Sequence, residues 1–261
     1  MLKGLYIACT GMVNEQRRVD ALSNNLANAS TTGYKKEGTT SEAFSDVLAL
    51  KIKDTSEPLT ARRLGVMNMG VKLGETYTDY DQGPFHETGN TFDMALSGKG
   101  FFTIEFTNKA GETSVKYTRD GAFKLNVNGE LVNNNGDFVL DVNGNHIVLD
   151  PTQDFTVDRL GNITQGEGVN ALAQVNVVDF ADYDFLEKYG ETYYQPVDGA
   201  QFVPADAQIY SGYLETSNVQ TVHEMVELIS YQRAYESNQK IIQAYDESLG
   251  IAVEQLGRVS G

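Results

Sequence analysis

The sequence predicts an α+β fold in which N- and C-terminal helices pair as a coiled coil and an antiparallel β domain is inserted between them. Two observations predict this class. Apolar residues recur at heptad spacing near both ends of the chain, as in helices that pack along one seam. Between the ends, Asn-Gly pairs at 128–129, 135–136 and 143–144 separate short alternating segments, and Asn-Gly favours the tight turn of a β-hairpin.

These patterns divide the chain. We expect residues 1–40 and 216–261 to form a terminal helical coiled-coil domain, residues 41–85 a connecting segment, and residues 86–215 the antiparallel β domain. The whole chain carries a charge of -16, of which residues 1–40 hold +2 and residues 216–261 hold -3, so residues 41–215 carry -15. Nearly neutral ends around an acidic middle indicate that the ends are buried in an assembly while the middle faces water.

The first predicted helix runs from residue 2 to about residue 29. One apolar row repeats every seven residues, and a second row holds Ala8 and Leu22 but is interrupted by Glu15. The first row consists of Leu5, Met12, Val19 and Leu26.

Three asparagines, Asn24, Asn25 and Asn28, lie near the end of this helix, before a Ser-Thr-Thr-Gly-Tyr loop that contains Gly33. Amide side chains both donate and accept hydrogen bonds, and a buried polar residue can fix the register of a coiled coil. We favour the interpretation that these amides fix the register between packed helices. The alternative is that they only end the helix, which stops at Gly33 because glycine adopts a positive φ at little cost.

The second predicted helix covers residues 221–256 and begins with a capping box formed by Thr221 and Glu224. At ~1.5 Å per residue it would be about 50 Å long, a length typical of coiled coils and bundles. Its seam consists of Leu228, Tyr235, Ile242, Leu249 and Leu256, with Tyr231, Asn238, Tyr245 and Ala252 three positions further on. A second, adjacent stripe consists of Val222, Met225, Val226 and Ile229.

An intramolecular hairpin of the two terminal helices is one explanation of these stripes. The adjacent stripe favours more than one partner, because one neighbouring helix cannot cover two faces. We therefore expect the terminal helices to pack against further helices in an assembly.

Many short segments separated by turn residues predict antiparallel pairing in the middle of the chain, rather than alternating strands and helices. The expected strands are residues 100–106, 122–127, 130–132, 138–142, 147–149, 155–157 and 173–180. Before them, we assign a short helix to residues 42–52. We also assign an extended arm to residues 70–80, which is followed by Gln82-Gly83-Pro84.

Composition and charge exclude several classes of protein. With 261 residues and 41% apolar content the chain can form a sizeable core. Its net charge of -16 argues against nucleic-acid binding, because phosphate recognition requires clustered Lys and Arg. No apolar run is long enough to cross a bilayer, and the N-terminal sequence lacks the apolar segment of a cleaved signal peptide. We expect no bilayer insertion and no cleaved signal.

Motifs for catalysis or ligand binding are incomplete. Residues 97–101, Ser-Gly-Lys-Gly-Phe, lack the spacing and the following helix of a phosphate-binding loop, so we expect a turn between strands. Asp141, Asn143 and Asn145 alternate as in a calcium loop, but His146 and Thr152 replace the glycine and the glutamate that such a loop requires. A hairpin tip is the favoured interpretation of this segment.

The remaining residue types also argue against a reactive site. The chain has a single cysteine, Cys9, so an internal disulfide is excluded. Cys9 lies at an apolar helical position. The histidines, His86, His146 and His223, show no paired spacing for zinc. We expect no catalytic residue, cofactor or metal. If the protein is an enzyme after all, the class we consider is an exported cell-wall-acting hydrolase with helical tails. The chain has 36 acidic residues, from which a catalytic pair could come.

Motifs along most of the chain resemble those of the flagellar rod and hook axial proteins. At the N-terminus they are Gly11-Met12 and SNNLANASTTGYK, residues 23–35. In the middle they are TGNTFDMALSGKGFF and YTRDGAFKLNVNGELV, and at the C-terminus GYLETSNV, Glu224-Met225-Val226 and QRAYE. Their order and spacing are specific, so the chain is identified as similar to this family.

The resemblance implies a subunit of the bacterial flagellar basal-body rod, with paired terminal helices in an inner tube and the β domain outside. It implies polymerisation into a helical tube that transmits torque from motor to hook. The implied partners are further copies, other rod, hook and ring proteins, and the type III export apparatus, through which the chain passes uncleaved. Within the rod, the distal type is favoured over the proximal type. The expected assembly interface is Leu5, Met12, Val19, Leu22, Asn24, Asn25, Leu26, Asn28, Leu228, Tyr235, Ile242, Leu249 and Leu256.

Overall fold

A computed structural model describes residues 2–51, 62–153, 155–166 and 171–258 of the chain. Helix α1 is Leu2–Ala27 and helix α2 is Thr221–Arg258. The chain between them forms strands β1 to β20 and a short 3-10 helix, Tyr183–Phe185. The predicted α+β class is confirmed, because two terminal helices enclose a region that is mostly antiparallel β.

The strands before residue 100 are β1 (Glu37–Ala43), β2 (Val47–Lys51), β3 (Arg62–Met67), β4 (Val71–Thr78), β5 (Phe85–Glu87) and β6 (Met94–Gly98). Those of the central region are β7 (Phe101–Thr107), β8 (Thr113–Thr118), β9 (Phe123–Leu125), β10 (Leu131–Asn133), β11 (Phe138–Val139), β12 (Phe155–Val157) and β13 (Asn162–Gln165). The last are β14 (Ala173–Gln174), β15 (Val177–Phe180), β16 (Leu186–Tyr189), β17 (Tyr193–Pro196), β18 (Phe202–Pro204), β19 (Ala207–Ser211) and β20 (Tyr213–Glu215).

The chain divides into two compact units. The first, which we call the helical unit, consists of Met1–Leu26, Glu37–Asp79 and Gln220–Gly261. The second, which we call the β unit, consists of Ala27–Lys36 and Tyr80–Val219. Each unit therefore contains segments that are distant in sequence.

In the helical unit, α1 contacts α2 and two antiparallel strand pairs, β1 with β4 and β2 with β3. Asn14, which is almost fully buried, donates a hydrogen bond of 3.0 Å to the hydroxyl of Ser41 on β1. Ala8 and Leu22 are the buried apolar residues of α1. Among the described residues, no helix is long and apolar enough to cross a membrane.

In the β unit, a nine-stranded sheet has the order β16-β17-β8-β7-β11-β10-β9, and β15 joins β7 to β18. Both faces of β7 are buried. Phe102 and Ile104 lie in the main core cluster, whereas Phe101 lies in an aromatic cluster with Tyr117, Phe180 and Tyr194. Successive side chains of a strand point to opposite faces, so β7 separates the two clusters.

Several predicted strands are confirmed, and others differ in length. Residues 155–157 form β12 as expected, residues 100–106 correspond to β7, and the arm at 70–80 contains β4. The expected strand at 173–180 is divided into β14 and β15. Residues 147–149 contribute an isolated bridge between Glu130 and Val148 instead of a regular strand. Strands β1, β2, β3, β5, β6, β8, β13 and β16 to β20 were not predicted.

The prediction of a short helix at residues 42–52 is wrong. Residues 42 and 43 end β1, and β2 pairs with β3 in a register that places Val47 opposite Met67. Residue 52 lies outside the described residues. Ala and Leu favour helices in isolation, but here antiparallel pairing with a neighbouring strand, with a register shift between Ala49 and Leu50, overrides that local preference.

Candidate assembly interface

The two terminal helices contact each other within one chain in a regular antiparallel register. Gly4 lies against Tyr245, Gly11 against Asn238, Arg18 against Tyr231, and Asn25 against Glu224. Each step of seven residues forward along α1 matches a step of seven residues back along α2. A heptad step returns a helix to nearly the same face, so these contacts lie along one line.

The first two contacts depend on the small size of glycine. A Cβ atom added to Gly4 would lie 2.4 Å from the hydroxyl oxygen of Tyr245. One added to Gly11 would lie 3.1 Å from the amide nitrogen of Asn238. Glycine costs about 1 kcal/mol relative to alanine inside a helix. At these positions it allows large side chains of α2 to lie directly against the backbone of α1.

The third contact is polar and aromatic. Arg18 donates a hydrogen bond of 2.6 Å to the hydroxyl of Tyr231, and its guanidinium carbon lies 4.0 Å from the centre of that ring. Burial raises the pKa of Tyr231, although the nearby charge of Arg18 opposes the shift. The phenol therefore stays protonated, while its oxygen accepts the arginine hydrogen bond.

The fourth contact closes the helical pair at the start of α2. The amide nitrogen of Asn25 donates to a carboxylate oxygen of Glu224 at 3.3 Å and to the backbone oxygen of Glu37 at 2.8 Å. Its amide oxygen accepts from the backbone nitrogen of Glu37 at 3.0 Å. Asn25 and Glu224 are both fully buried. The asparagine thus joins α1, α2 and β1 within one chain.

The predicted interface residues lie in three environments. Leu22 and Asn25 of α1 are buried, and so is Asn28, which follows the helix, whereas Asn24 of α1 is exposed. The half-buried residues are Leu5, Met12, Val19 and Leu26 on α1, and Leu228, Tyr235, Ile242 and Leu249 on α2. The side chain of Leu256 lies outside the described residues. Single-chain pairing therefore leaves much of the predicted seam only partly covered.

The second stripe of α2 is exposed along its whole length. Exposure is 75% at Val222, 49% at Met225, 62% at Val226 and 48% at Ile229. A shallow pocket of about 490 Å³ lies beside this stripe and is lined by Gln220, Thr221, Val222, His223 and Val226. On α1, Tyr6, Ile7 and Val13 are also exposed. This stripe is therefore a row of exposed apolar side chains at helical spacing that contacts within the described part of one chain leave uncovered.

The β unit contains a buried charged cluster that the sequence analysis did not identify. Glu215 is fully buried and lies 2.6 Å from the ammonium of Lys35 and 3.4 Å from the guanidinium of Arg119. Lys35 and Arg119 are 1% and 3% exposed. No local pattern indicates this cluster, because 180 residues separate Lys35 from Glu215.

The loops considered as ligand sites form turns. In the segment that resembles a calcium loop, the backbone nitrogen of Gly144 donates to the oxygen of Asp141 at 2.8 Å. The side chain of Asp141 accepts from the backbone nitrogen of Gln174 at 3.1 Å. These bonds close a hairpin tip, as the sequence predicted. Residues 99 and 100 connect β6 to β7, so the expected turn between strands is confirmed there too.

Three family models match the chain. The model described as flagella basal body rod protein matches residues 5–35, flagellar hook protein FlgE/F/G D1 domain matches residues 95–177, and flagellar basal body rod FlgEFG protein C-terminal matches residues 210–255. The flagellar basal-body rod protein FlgF of Caulobacter vibrioides is 35% identical over 267 residues, with 100% of both chains covered. The chain belongs to the flagellar basal-body rod protein family.

Other relatives of this rod protein carry the name FlgG. The flagellar basal-body rod protein FlgG of Agrobacterium fabrum is 34% identical over 271 residues, which cover 98% of this chain and 100% of the relative. FlgG of Bacillus subtilis is 34% identical over 273 residues, covering 95% and 97%. These identities are so close to that of FlgF that they do not distinguish between the two names.

The matched terminal segments of the rod protein contain three of the four α1–α2 contacts described above. Arg18 and Asn25 lie in the N-terminal match, and Tyr231 and Glu224 lie in the C-terminal match. Family membership makes this chain a structural protein of the flagellar basal body. The hydrolase alternative has no support, since the named relatives are all basal-body rod proteins.

Proposed function

We propose that this rod protein polymerises into a helical tube that transmits torque from motor to hook. Its two terminal helices pair as a coiled coil within each subunit, and the pairs of successive subunits pack side by side. The part that drives assembly comprises residues 1–40 and 216–261. The β domain, residues 86–215, lies outside the tube, and residues 41–85 connect the two. The full-length similarity to rod proteins is the observation that carries this proposal.

The contacts within one chain support the coiled-coil part of the proposal. All four α1–α2 contacts repeat at heptad steps, and the residues at these positions on α2 include the predicted Tyr231, Asn238 and Tyr245. Glycine on one helix facing a large side chain on the other gives close packing at those levels. A single pair nevertheless covers only one line on each helix.

The exposed stripe of α2 supports packing between subunits. Burying side chains of this type stabilises an interface by roughly 1.5 to 3 kcal/mol each when burial is complete. In the proposed tube, this stripe contacts a different surface on the next copy. Contacts of this heterologous kind propagate into an open helical assembly instead of closing into a dimer.

The predicted interface residues have distinct roles in this proposal. Leu5, Met12, Val19, Leu228, Ile242 and Leu249 are half-buried in one chain, and neighbouring subunits complete their burial. Asn24 is exposed at the end of α1 and can bond to a neighbouring backbone, which fixes register between subunits. Asn25 uses both ends of its amide within the chain, so it fixes the register of α1 and α2 instead.

The wider proposal concerns partners and location. The chain is exported across the cytoplasmic membrane by the flagellar type III apparatus without loss of a signal peptide, and it contacts other rod, hook and ring proteins. It acts as neither an enzyme nor a cofactor-binding protein. We favour the distal position in the rod. Cross-linking of isolated basal bodies tests this position, because a distal subunit cross-links to hook-side proteins and a proximal one to other rod proteins.

A matched pair of substitutions tests assembly. Val226→Asp places a charge on the exposed stripe of α2, and Val127→Asp makes the same change at a fully exposed residue of the β unit. Both residues are exposed, so neither change should disturb the fold of a single chain. We expect Val226→Asp to abolish polymers seen by electron microscopy, whereas Val127→Asp polymerises as the unsubstituted chain does.

Two outcomes would contradict the proposal. Normal polymers of Val226→Asp would show that the exposed stripe is not an interface. Release of muropeptides from purified cell wall by the unsubstituted protein would show that it has an enzymatic activity that a rod subunit does not need.

A further inference from the structure

The buried cluster of Glu215, Lys35 and Arg119 lies within the β unit, and Lys35 and Glu215 are close in sequence to positions where the chain enters or leaves that unit. The chain enters or leaves the β unit at residues 27, 36, 80 and 219. Residues 27–36, which we call the connector, follow α1 and precede β1. The other two passages are at residues 80–84, before β5, and residues 215–219, before α2. Glu215 lies in the last of these segments, and it contacts Lys35 in the connector and Gly83 in the segment before β5.

Both oxygens of the Glu215 carboxylate are used. One lies 2.6 Å from the ammonium of Lys35 in the connector, and it also accepts from the backbone nitrogen of Gly83 at 2.9 Å. The other lies 3.4 Å from the guanidinium of Arg119, which follows β8. The ammonium of Lys35 donates in addition to the backbone oxygen of Asp81 at 2.8 Å. One carboxylate therefore holds the connector and the segment before β5 to the body of the sheet.

Further bonds attach the connector beside this carboxylate. The backbone nitrogen of Gly33 donates to the backbone oxygen of Glu215 at 2.8 Å, and that of Lys36 donates to the side chain of Asn218 at 2.8 Å. Gly33 has a φ of 66°, and a Cβ atom there would lie 2.4 Å from the backbone nitrogen of Asp120. Tyr34 is fully buried, with the ammonium of Lys188 at 4.0 Å from its ring centre.

The charges make this attachment depend on Glu215. Glu215, Lys35 and Arg119 are almost fully buried, and the carboxylate contacts both cations. Removing one partner of a buried ion pair is far more costly than removing an exposed one, because the remaining charge stays buried and uncompensated. Loss of the carboxylate therefore acts on the connector and on Arg119 together.

We propose that Glu215 is a positioning residue that anchors the chain connections in the β unit. It keeps the connector and the segments before β5 and α2 fixed where they leave this unit. Where the function proposed above is correct, these segments carry force between the β unit and the helices, and the anchor prevents them from being pulled out. The anchor itself is a property of the single chain and does not require assembly.

Amide hydrogen exchange of the unassembled chain tests the anchor. We expect Glu215→Gln to speed exchange of the Gly33 and Lys36 amides by on the order of a hundredfold. Exchange of the Thr103 and Leu131 amides, which bond within the sheet region, should change little. Lys35→Met provides a second variant that leaves the Arg119–Glu215 pair intact. It should loosen the connector in the same selective way, even where Glu215→Gln reduces folding of the whole unit.

A double variant and a surface control sharpen the test. Lys35→Met combined with Glu215→Gln should accelerate connector exchange by less than the product of the two single accelerations, because the double variant leaves no buried lysine charge. Glu42→Gln removes a carboxylate from the exposed pair with Lys72, whose atoms lie 2.9 Å apart, and should leave exchange unchanged.

Two results would overturn the proposal. Unchanged connector exchange in both single variants would show that backbone bonds alone hold the connector. Equal acceleration of connector and sheet amides in Lys35→Met would show that the cluster supports the whole core instead of anchoring the connections. Because polymers are absent from these measurements, a failure of assembly would leave the outcome unaffected.

Discussion

At the scale of single residues, Tyr193 shows how a buried polar group is satisfied in the β unit. Its hydroxyl donates to Asp137 at 2.5 Å and accepts from the amides of Asn133 and Asn135 at 2.5 and 2.7 Å. Asn133 and Asp137 flank an Asn-Gly turn, so the phenol joins that turn to β17. Burial raises the pKa of Tyr193, and the hydrogen bond to Asp137 raises it further.

The raised pKa of Tyr193 predicts a loss of stability in alkaline solution. The unfolded chain releases the phenol proton near pH 10, the ordinary tyrosine value, while the folded chain retains it. The unfolded state therefore binds fewer protons there, and the free energy of unfolding falls as pH rises above about 10. We expect Tyr193→Phe to make this fall shallower in urea denaturation between about pH 8 and pH 11.

The same substitution has a cost at neutral pH. Asp137 loses its phenol donor but keeps the amide of Asn133, so we expect the loss of one buried hydrogen bond, about 0.5 to 1.5 kcal/mol. Tyr189→Phe, at a residue that is 43% exposed, serves as the control. An alkaline slope that is identical in Tyr193→Phe and the unsubstituted chain would show that Tyr193 does not contribute to it.

At the scale of secondary-structure elements, α2 has two apolar faces with different environments. The seam face, which includes Tyr231 and Ile242, is half-buried against the rest of its own unit. The face that includes Val226 is exposed. Free α2 therefore has more apolar surface than one chain covers, and in the proposed assembly neighbouring subunits cover the rest.

This difference predicts a selective effect of Ile242→Ala. A truncated core side chain costs ~2 to 5 kcal/mol when it is fully enclosed and less when it is partly exposed. Ile242 is only half-buried in one chain, so we expect a small change in the unfolding of the monomer and a larger rise in the critical concentration for polymerisation. Ile242→Asp should abolish polymers.

The neighbouring isoleucine provides a control of the same type. Ile241 is 43% exposed and lies one position away from the seam. Ile241→Ala should therefore change the critical concentration less than Ile242→Ala does. The reverse order would place the interface on a different face of α2.

At the scale of the whole molecule, charge is unevenly distributed along the chain. Residues 41–215 carry -15 of the total of -16, whereas the terminal segments carry +2 and -3. If the acidic region forms the outer wall of a tube, each added subunit brings like charges together. Salt screens exposed charges over about 10 Å at 0.1 M ionic strength.

We therefore expect salt to promote polymerisation. Sodium chloride weakens the repulsion between outer surfaces, while the apolar contacts between helices depend little on screening. The critical concentration should fall between low and high sodium chloride, as measured by sedimentation. A rise with salt would show that attraction between opposite charges governs growth.

Charge variants separate these effects at constant salt. Glu112, Glu191 and Asp198 are exposed, and replacing them with Gln, Gln and Asn should lower the critical concentration. Replacing the exposed Lys99 and Lys109 with Gln should raise it, because the net negative charge increases. Equal critical concentrations for the two variants would show that the acidic surface does not affect assembly.

The sequence by itself determined the features that depend on neighbours along the chain. Heptad spacing predicted both helices, because residues seven apart lie on one face of a helix. The Asn-Gly pairs predicted turns, since Gly129, Gly136 and Gly144 all have a positive φ in the structure. Both predictions rest on residues within a short stretch of the chain. The resemblance of the motifs indicated the family that the comparisons then showed.

Tertiary structure alone decided which distant segments meet. The strand at Val47–Lys51 forms because β3 provides its hydrogen bonds, which outweigh the local preference for a helix. The sequence pattern does not distinguish Lys35, Arg119 and Glu215 from ordinary surface charges. Only the folded chain brings them together away from water. Local interactions leave a periodic signal within a few residues, whereas a contact across 180 residues leaves none, so its partners are fixed only when the chain packs.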